Sequence, residues 1–309
     1  MKKLVMFAAA LIMAVSFSSC TSKEESSTTT NTPGNTGGGG NNTGGGNTQS
    51  QSTRIIKRII ETSKSDYYGD YYCMHTFEYD AMNRISNWIS RYGDYTCIHT
   101  YSYDGNGVHC YTVEDYGSDG YEQNEAYITL NAEGYAIRVE NFYNTEKPSN
   151  DCDEYIDIAY KNGYIQNSNE CWPVYNQYQE TEFTWENGNL AGVNITSDED
   201  GYLEYTKVSY KYALNREAVP VNINLAAFIN YSHFYDWNAS MFFYGRQSKN
   251  PLTQIDDETM HLSSGYVSRK TCAFDYEYNS DGTIAGFTAY SDEDGGRRSV
   301  TTTYDIVYF

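Results

Sequence analysis

The sequence predicts an all-β domain, an antiparallel meander of hairpins, set behind a secretory leader and a linker. Three observations carry this. Tyrosine is abundant, with 33 Tyr beside 12 Phe and 4 Trp; it packs one ring face while its hydroxyl stays wet, which suits a half-buried pleated surface. Asn-Gly and Asp-Gly pairs recur along the chain and supply the positive φ that tight hairpin turns need. Between those pairs, aromatic and polar residues alternate with period two, which places rings on one face of a strand and charges on the other.

The first elements are not structural. Met1-Lys2-Lys3 followed by the apolar run Leu4–Phe17 reads as a signal peptide, too short for a spanning helix. The run ends Phe17-Ser18-Ser19-Cys20. Small residues before a Cys resemble the lipobox of bacterial lipoproteins, with Phe17 standing where Leu is usual. The resemblance implies cleavage after Ser19 and lipid attachment at Cys20, so that residues 1–19 are the signal peptide. The alternative is an ordinary cleaved leader with an incidental Cys. Lys23-Glu24-Glu25 after the Cys is similar to the surface-export signal of Bacteroides-type lipoproteins. From Ser26 to Thr53 the chain is almost wholly Ser, Thr, Asn, Gly and Gln. Such a segment buries no apolar surface and, as a coil, spans roughly 30 Å. Residues 20–53 are therefore the lipidated Cys and its linker.

At Arg54 the composition changes, and 54–309 reads as one domain. Arg54–Ile60 opens it as a β-branched strand. Then a unit repeats: His75-Thr76-Phe77-Glu78-Tyr79-Asp80 with a turn near Asn83, and His99-Thr100-Tyr101-Ser102-Tyr103-Asp104 with a turn at Gly105-Asn106-Gly107. Looser copies turn at Asn162-Gly163, Asn187-Gly188 and Asp281-Gly282. The copies imply on the order of fifteen strands, more than an open twisted sheet holds, so the meander should roll into a barrel-like or flattened two-layer form. Pro220–Asn238 breaks the rhythm as a short helix, and Met241–Ile255 as an irregular crossover.

The lipobox, the Gly/Asn spacer, the Tyr-x-Tyr-Asp…Gly hairpins and the segment Tyr244-Gly245-Arg246-Gln247-Ser248-Lys249-Asn250-Pro251-Leu252 together resemble a family of Bacteroides-type surface lipoproteins of unknown function. That resemblance implies a porin-like β-meander over Arg54–Phe309 and an outer-membrane location; it implies no activity. A true membrane barrel is the competing reading, since the chain ends in the aromatic strand Tyr304–Phe309. Membrane strands need about nine to eleven residues and an apolar outer band, whereas these repeats alternate cleanly for about five.

The charge balance, 21 Lys+Arg against 41 Asp+Glu, excludes nucleic acid, whose phosphates need clustered bases. Six cysteines remain after Cys20 in an oxidising compartment. With Asn162-Gly163 as a two-residue turn, Cys152 and Cys171 become neighbours across one hairpin and candidates for a disulfide; buried thiols are the alternative. His75 and His99 hold equivalent places in two repeats beside Cys73 and Cys97. Strands carrying them are separated by another strand, so repetition within the core explains them and no metal is assigned. Ser-Asp-Glu-Asp-Gly occurs at 197–201 and 291–295. Asp198, Asp200, Asp292 and Asp294 form part of a calcium pattern, but the distal Glu is missing; acidic hairpin turns are the simpler reading, and no cofactor is expected. Nucleophile-elbow, zinc-helix and phosphate-loop motifs are absent, so nothing recommends an enzyme. Trp88 falls out of phase with Ile85 and Ile89 and is expected to face outward. Trp172, before Pro173, is expected in a loop. Both are candidate platforms for stacking on sugar rings. The expectation is a lipid-anchored, surface-exposed, non-catalytic binding module with glycans as the favoured ligand. The alternative is an accessory protein that contacts other surface proteins, with a hydrolase third.

Overall fold

In the computed structural model the described residues are 53–65, 70–143, 152–173, 175, 177–199, 202–228, 238–262, 264–293 and 298–309. The leader, Cys20 and nearly all of the linker lie outside them. Sixteen antiparallel strands follow in chain order: β1 (Ile56–Ser65), β2 (Tyr71–Tyr79), β3 (Ile85–Tyr92), β4 (Tyr95–Asp104), β5 (Gly107–Asp115), β6 (Tyr121–Leu130), β7 (Ala136–Tyr143), β8 (Glu154–Lys161), β9 (Tyr164–Trp172), β10 (Gln177–Glu186), β11 (Asn189–Glu199), β12 (Tyr202–Tyr212), β13 (Leu252–His261), β14 (Tyr266–Tyr278), β15 (Ile284–Glu293) and β16 (Arg298–Tyr308). Each pairs with its neighbours in sequence, and β16 pairs with β1, so the meander closes into a barrel. Among the described strands, closure leaves no sheet edge unpaired.

The strands run 8 to 13 residues, longer than the visible alternation suggested. The reason is a bulge that recurs near one end. Ser86, Ile137, Gln166, Ala191 and Ala285 are each an extra residue soon after a tight turn. Each shifts the side-chain phase by one and hides the continuation of the strand. The repeat's last aromatic serves this bulge. Tyr79 donates to the Ile56 carbonyl (2.6 Å), Tyr103 to Ile85 (2.8 Å), Trp185 to Ile165 (2.7 Å) and Tyr308 to Ile284 (2.8 Å). Each acceptor lies immediately before an extra residue, where the ladder is interrupted.

The turns are as the sequence requires. Asn162 and Gly163 have φ of 56° and 81°, Asn187 and Gly188 of 51° and 79°. These turns share one end of the barrel with the start of β1 and the finish of β16. Residues 213–228 and 238–251 lie across that same end. Arg246 N–H donates to the Gly163 carbonyl and Lys249 N–H to that of Gly188. Asn250 and Asn189 bond reciprocally at 2.9 Å. Arg54 pairs with Val221. Gly245 passes so near β9's turn that a Cβ there would stand 2.2 Å from the Gly163 carbonyl oxygen. Of the helix expected over Pro220–Asn238, the described residues show one turn, α1 (Leu225–Phe228), and 229–237 lie outside them. With a later 3-10 turn, Asn238–Phe243, it sends Phe228, Phe242 and Phe243 against Phe77, Trp88, Tyr101 and Tyr103 of the wall.

Inside and outside are sharply different. The inward face carries Ile59, Phe77, Ile128, Val139, Ile156, Val193, Val208 and Phe287 in one apolar cluster. The outward face carries ion pairs along the strands: Arg138 with Asp157 (2.8 Å), Lys211 with Asp256 (2.9 Å) and Arg269 with Glu258 (2.8 Å).

Two sequence expectations are corrected by the bulges. Trp88 does not face outward. The extra residue Ser86 brings Ile85 and Trp88 to the same inward face, and Trp88 is 5% exposed. Its indole stacks on His99 at 4.5 Å and meets Phe228 and Phe242. Cys152 and Cys171 are not opposed. The extra residue Gln166 sets Tyr155 opposite Cys171, so Cys152, which precedes β8, falls out of register with it, and both are thiols.

Candidate ligand-binding mouth

The end opposite the cap is built differently. One layer below it, the inward face turns from apolar to polar: Ser90, Thr112, Ser168, Gln179, Thr181, Ser197, Thr206, Ser291 and Thr302 are all buried there. At the rim itself tyrosines dominate. Tyr72, Tyr92, Tyr121, Tyr143, Tyr175 and Tyr266 are exposed, Tyr121 by 60% and Tyr175 by 61%. They come from the starts of β2, β6 and β14, the finishes of β3 and β7, and the β9–β10 turn. Tyr71 packs on Tyr92 (5.0 Å) and Tyr95 on Tyr116 (5.3 Å). Glu114 accepts from both Tyr95 (2.9 Å) and Tyr116 (2.8 Å). Burial, reinforced by neighbouring Glu and Cys side chains, pushes the Tyr71 and Tyr95 phenols up, so they stay neutral donors. Asp70, Asp94, Asp115, Asp119 and Asp153 are interleaved with these rings along the chain, which makes the rim aromatic and rich in acceptors.

Two polar networks lie beneath. His75 Nδ1 meets Ser90 Oγ at 2.8 Å and receives the Trp88 indole N–H at 3.4 Å. With Nδ1 accepting, the ring proton sits on Nε2, which faces Glu61 at 3.5 Å. This places a hydroxyl, an imidazole and a carboxylate in a row, as nucleophilic catalysis needs. Yet β3 is flanked by strands on both sides, so its backbone N–H groups serve the ladder and none is spared for an oxyanion. The second network is Cys97 Sγ with His99 Nε2 (3.3 Å) and His99 Nδ1 with Thr112 (2.8 Å). Burial pushes the Cys97 thiol up to about 12 and, with the nearby His75, lowers His99 to about 4. Both groups are neutral at neutral pH, and a thiol paired with a neutral imidazole is inert. His75 and His99 share a face, but the Trp88 ring stands between them.

A third row involves Trp172. It is the last residue of β9, half-buried and paired with Gln177. Continuing the β8–β9 register from Tyr155 opposite Cys171 sets Glu154 level with it, and Asn141 pairs with Glu154. Of the two tryptophans singled out from sequence, this one stands at the mouth. The two acidic motifs do not meet. Asp198 is on β11 and Asp292 on β15, with three strands between, while Asp200 and Asp294 lie outside the described residues. A shallow cleft of about 290 Å³ beside the cap is walled by Tyr164, Gln166 and Trp185, but the Trp185 indole N–H is already committed to Ile165. Sequence reading missed the tyrosine rim because it followed the repeats toward their tight turns. The signal lay at the other strand ends, in Tyr71-Tyr72, Tyr92, Tyr95, Tyr116 and Tyr121.

No family model and no curated protein matches the chain. Solved structures do. A porin-like protein from Bacteroides uniformis superposes with a TM-score of 0.56 at 15% identity, over 83% of this chain and 99% of the other. A porin-like protein from Bacteroides vulgatus does so with a TM-score of 0.54, again at 15% identity and over 83% and 99%. The class defined by fold is therefore a closed, porin-like antiparallel barrel.

Proposed function

We propose that this protein is a non-catalytic carbohydrate-binding barrel, anchored in the outer membrane through Cys20 and facing the medium. The observation that carries the reading is the ring of exposed tyrosines at the one end that the cap leaves alone. Aromatic faces stack on the C–H faces of sugar rings, while phenols and carboxylates exchange hydrogen bonds with hydroxyls. The linker joins at Arg54, on the capped end, so the mouth is the part of the barrel farthest from the anchor. The lipobox and the porin-like fold of the Bacteroides proteins support the location. A spanning pore is disfavoured, because Arg and Lys on a lipid-facing wall cost roughly 2–4 kcal/mol each at mid-membrane.

The test is a binding screen of the full-length protein against host and plant glycans, with Tyr121→Ala and Tyr175→Ala variants. Binding that these folded variants lose supports the reading. Failure of a folded wild type to bind any glycan removes it. That result shifts weight to the accessory role, for which the acidic rim favours a protein partner with a basic face.

A further inference from the structure

We propose that Glu154, Trp172 and Gln177 form one subsite in the wall of the mouth, built for an uncharged hexopyranose ring. The proposal rests on the carbohydrate reading and gives it a place and a selectivity. The three residues stand in one row across β8, β9 and β10, all on the inward face. Glu154 is 3% exposed; its carboxylate accepts from Asn141 Nδ2 at 3.0 Å and from the Tyr143 hydroxyl. Gln177 is 4% exposed, and its Nε2 has no hydrogen-bond partner. A buried amide donor left unsatisfied is rare, and in a folded protein it calls for an explanation. Here the explanation is a ligand atom. A carboxylate can only accept and an amide nitrogen can only donate. Between them, flanking an indole, fits a ring whose hydroxyls do both.

The same chemistry excludes anionic sugars. A uronate or sulfate brings acceptors without protons and a like charge toward Glu154 and the aspartates of the rim, where repulsion is unfavourable. Sites with unpaired buried polar groups reject analogues that cannot pair them. Entry requires movement of what covers the two polar groups. Trp172, half-buried at a strand end before Pro173, is the side chain of the row placed to swing aside.

The experiment is calorimetric titration of the full-length protein with cellohexaose, maltohexaose and mannohexaose as neutral probes and oligogalacturonate as the anionic one. A neutral probe should bind and the uronate should not. Gln177→Met should weaken binding about tenfold while raising Tm by about 2 °C, because it removes an unsatisfied donor at conserved volume. Trp172→Ala should abolish binding and Trp172→Phe retain part of it. Neutral binding unchanged in Gln177→Met and Trp172→Ala overturns the subsite but leaves the carbohydrate reading standing. So does preference for the uronate. A Gln177→Met variant that loses stability shows that the amide has a structural partner and also overturns it. No binding of any probe by the folded wild type overturns both.

Discussion

His99 illustrates what a single residue's surroundings do to stability. It is packed among Trp88, Cys97 and Thr112, and burial, then the neighbouring His75, lowers its pKa to about 4. In the unfolded chain it titrates near 6.5. Between those values the unfolded state binds a proton that the folded state refuses, so stability rises with pH across the window. The contribution is complete above about pH 6.5 and is lost as pH falls toward 4. The loss amounts to something on the order of 3 kcal/mol. Urea unfolding of wild type and His99→Gln at about pH 7 and about pH 5 checks this. Wild type should lose more stability than the variant over that interval; equal losses would place the burden on another group.

At the scale of elements, the repeat Phe/Tyr-x-Tyr-Asp is explained by the bulge it supports. Tyr103 lies under the Arg84 guanidinium at 4.0 Å and donates to the Ile85 carbonyl. Tyr103→Phe keeps the ring and the cation contact but leaves that carbonyl without its donor. It should cost about 1–2 kcal/mol, read as a fall in Tm of about 2–6 °C. An unchanged Tm would mean that the bulge carbonyl finds another donor. The same logic fixes what could be read in advance. Asn162-Gly163 and Asn187-Gly188 announce their turns because such residues tolerate the φ, so hairpins and meander were legible. The strand count left a barrel and a two-layer form equally open, and the pairing of β16 with β1 decides between them. The extra residues Ser86 and Gln166 have no local signature, since Ser and Gln occur equally well in regular strands. Without them the phase of Trp88 and the partner of Cys171 came out wrong. Trp172 was expected in a loop before Pro173, whereas it is the last residue of β9. Its row with Glu154 and Gln177 depends on a register that only the bulge sets.

For the whole molecule, the decisive quantity is which face of the wall meets solvent. A membrane barrel turns apolar residues outward around a polar lumen. This barrel does the reverse: its apolar cluster points inward, its ion pairs point outward, and residues 213–228 and 238–251 cover one end. With a net charge of −20, such an exterior favours solubility and repels neighbouring copies. On the proposed reading, membrane attachment depends on the lipid at Cys20, since acyl chains contribute roughly 0.8 kcal/mol per buried CH₂ and outward charges disfavour burying the wall in lipid. Cys20→Ala should therefore move the protein from the outer-membrane fraction into the soluble one, folded and without detergent. Reconstituted wild type should give no conductance across a planar bilayer. If the variant stays with the membrane and resists carbonate extraction, the wall itself is inserted. The outward ion pairs would then have to line a protein interface, and the barrel would be a pore after all.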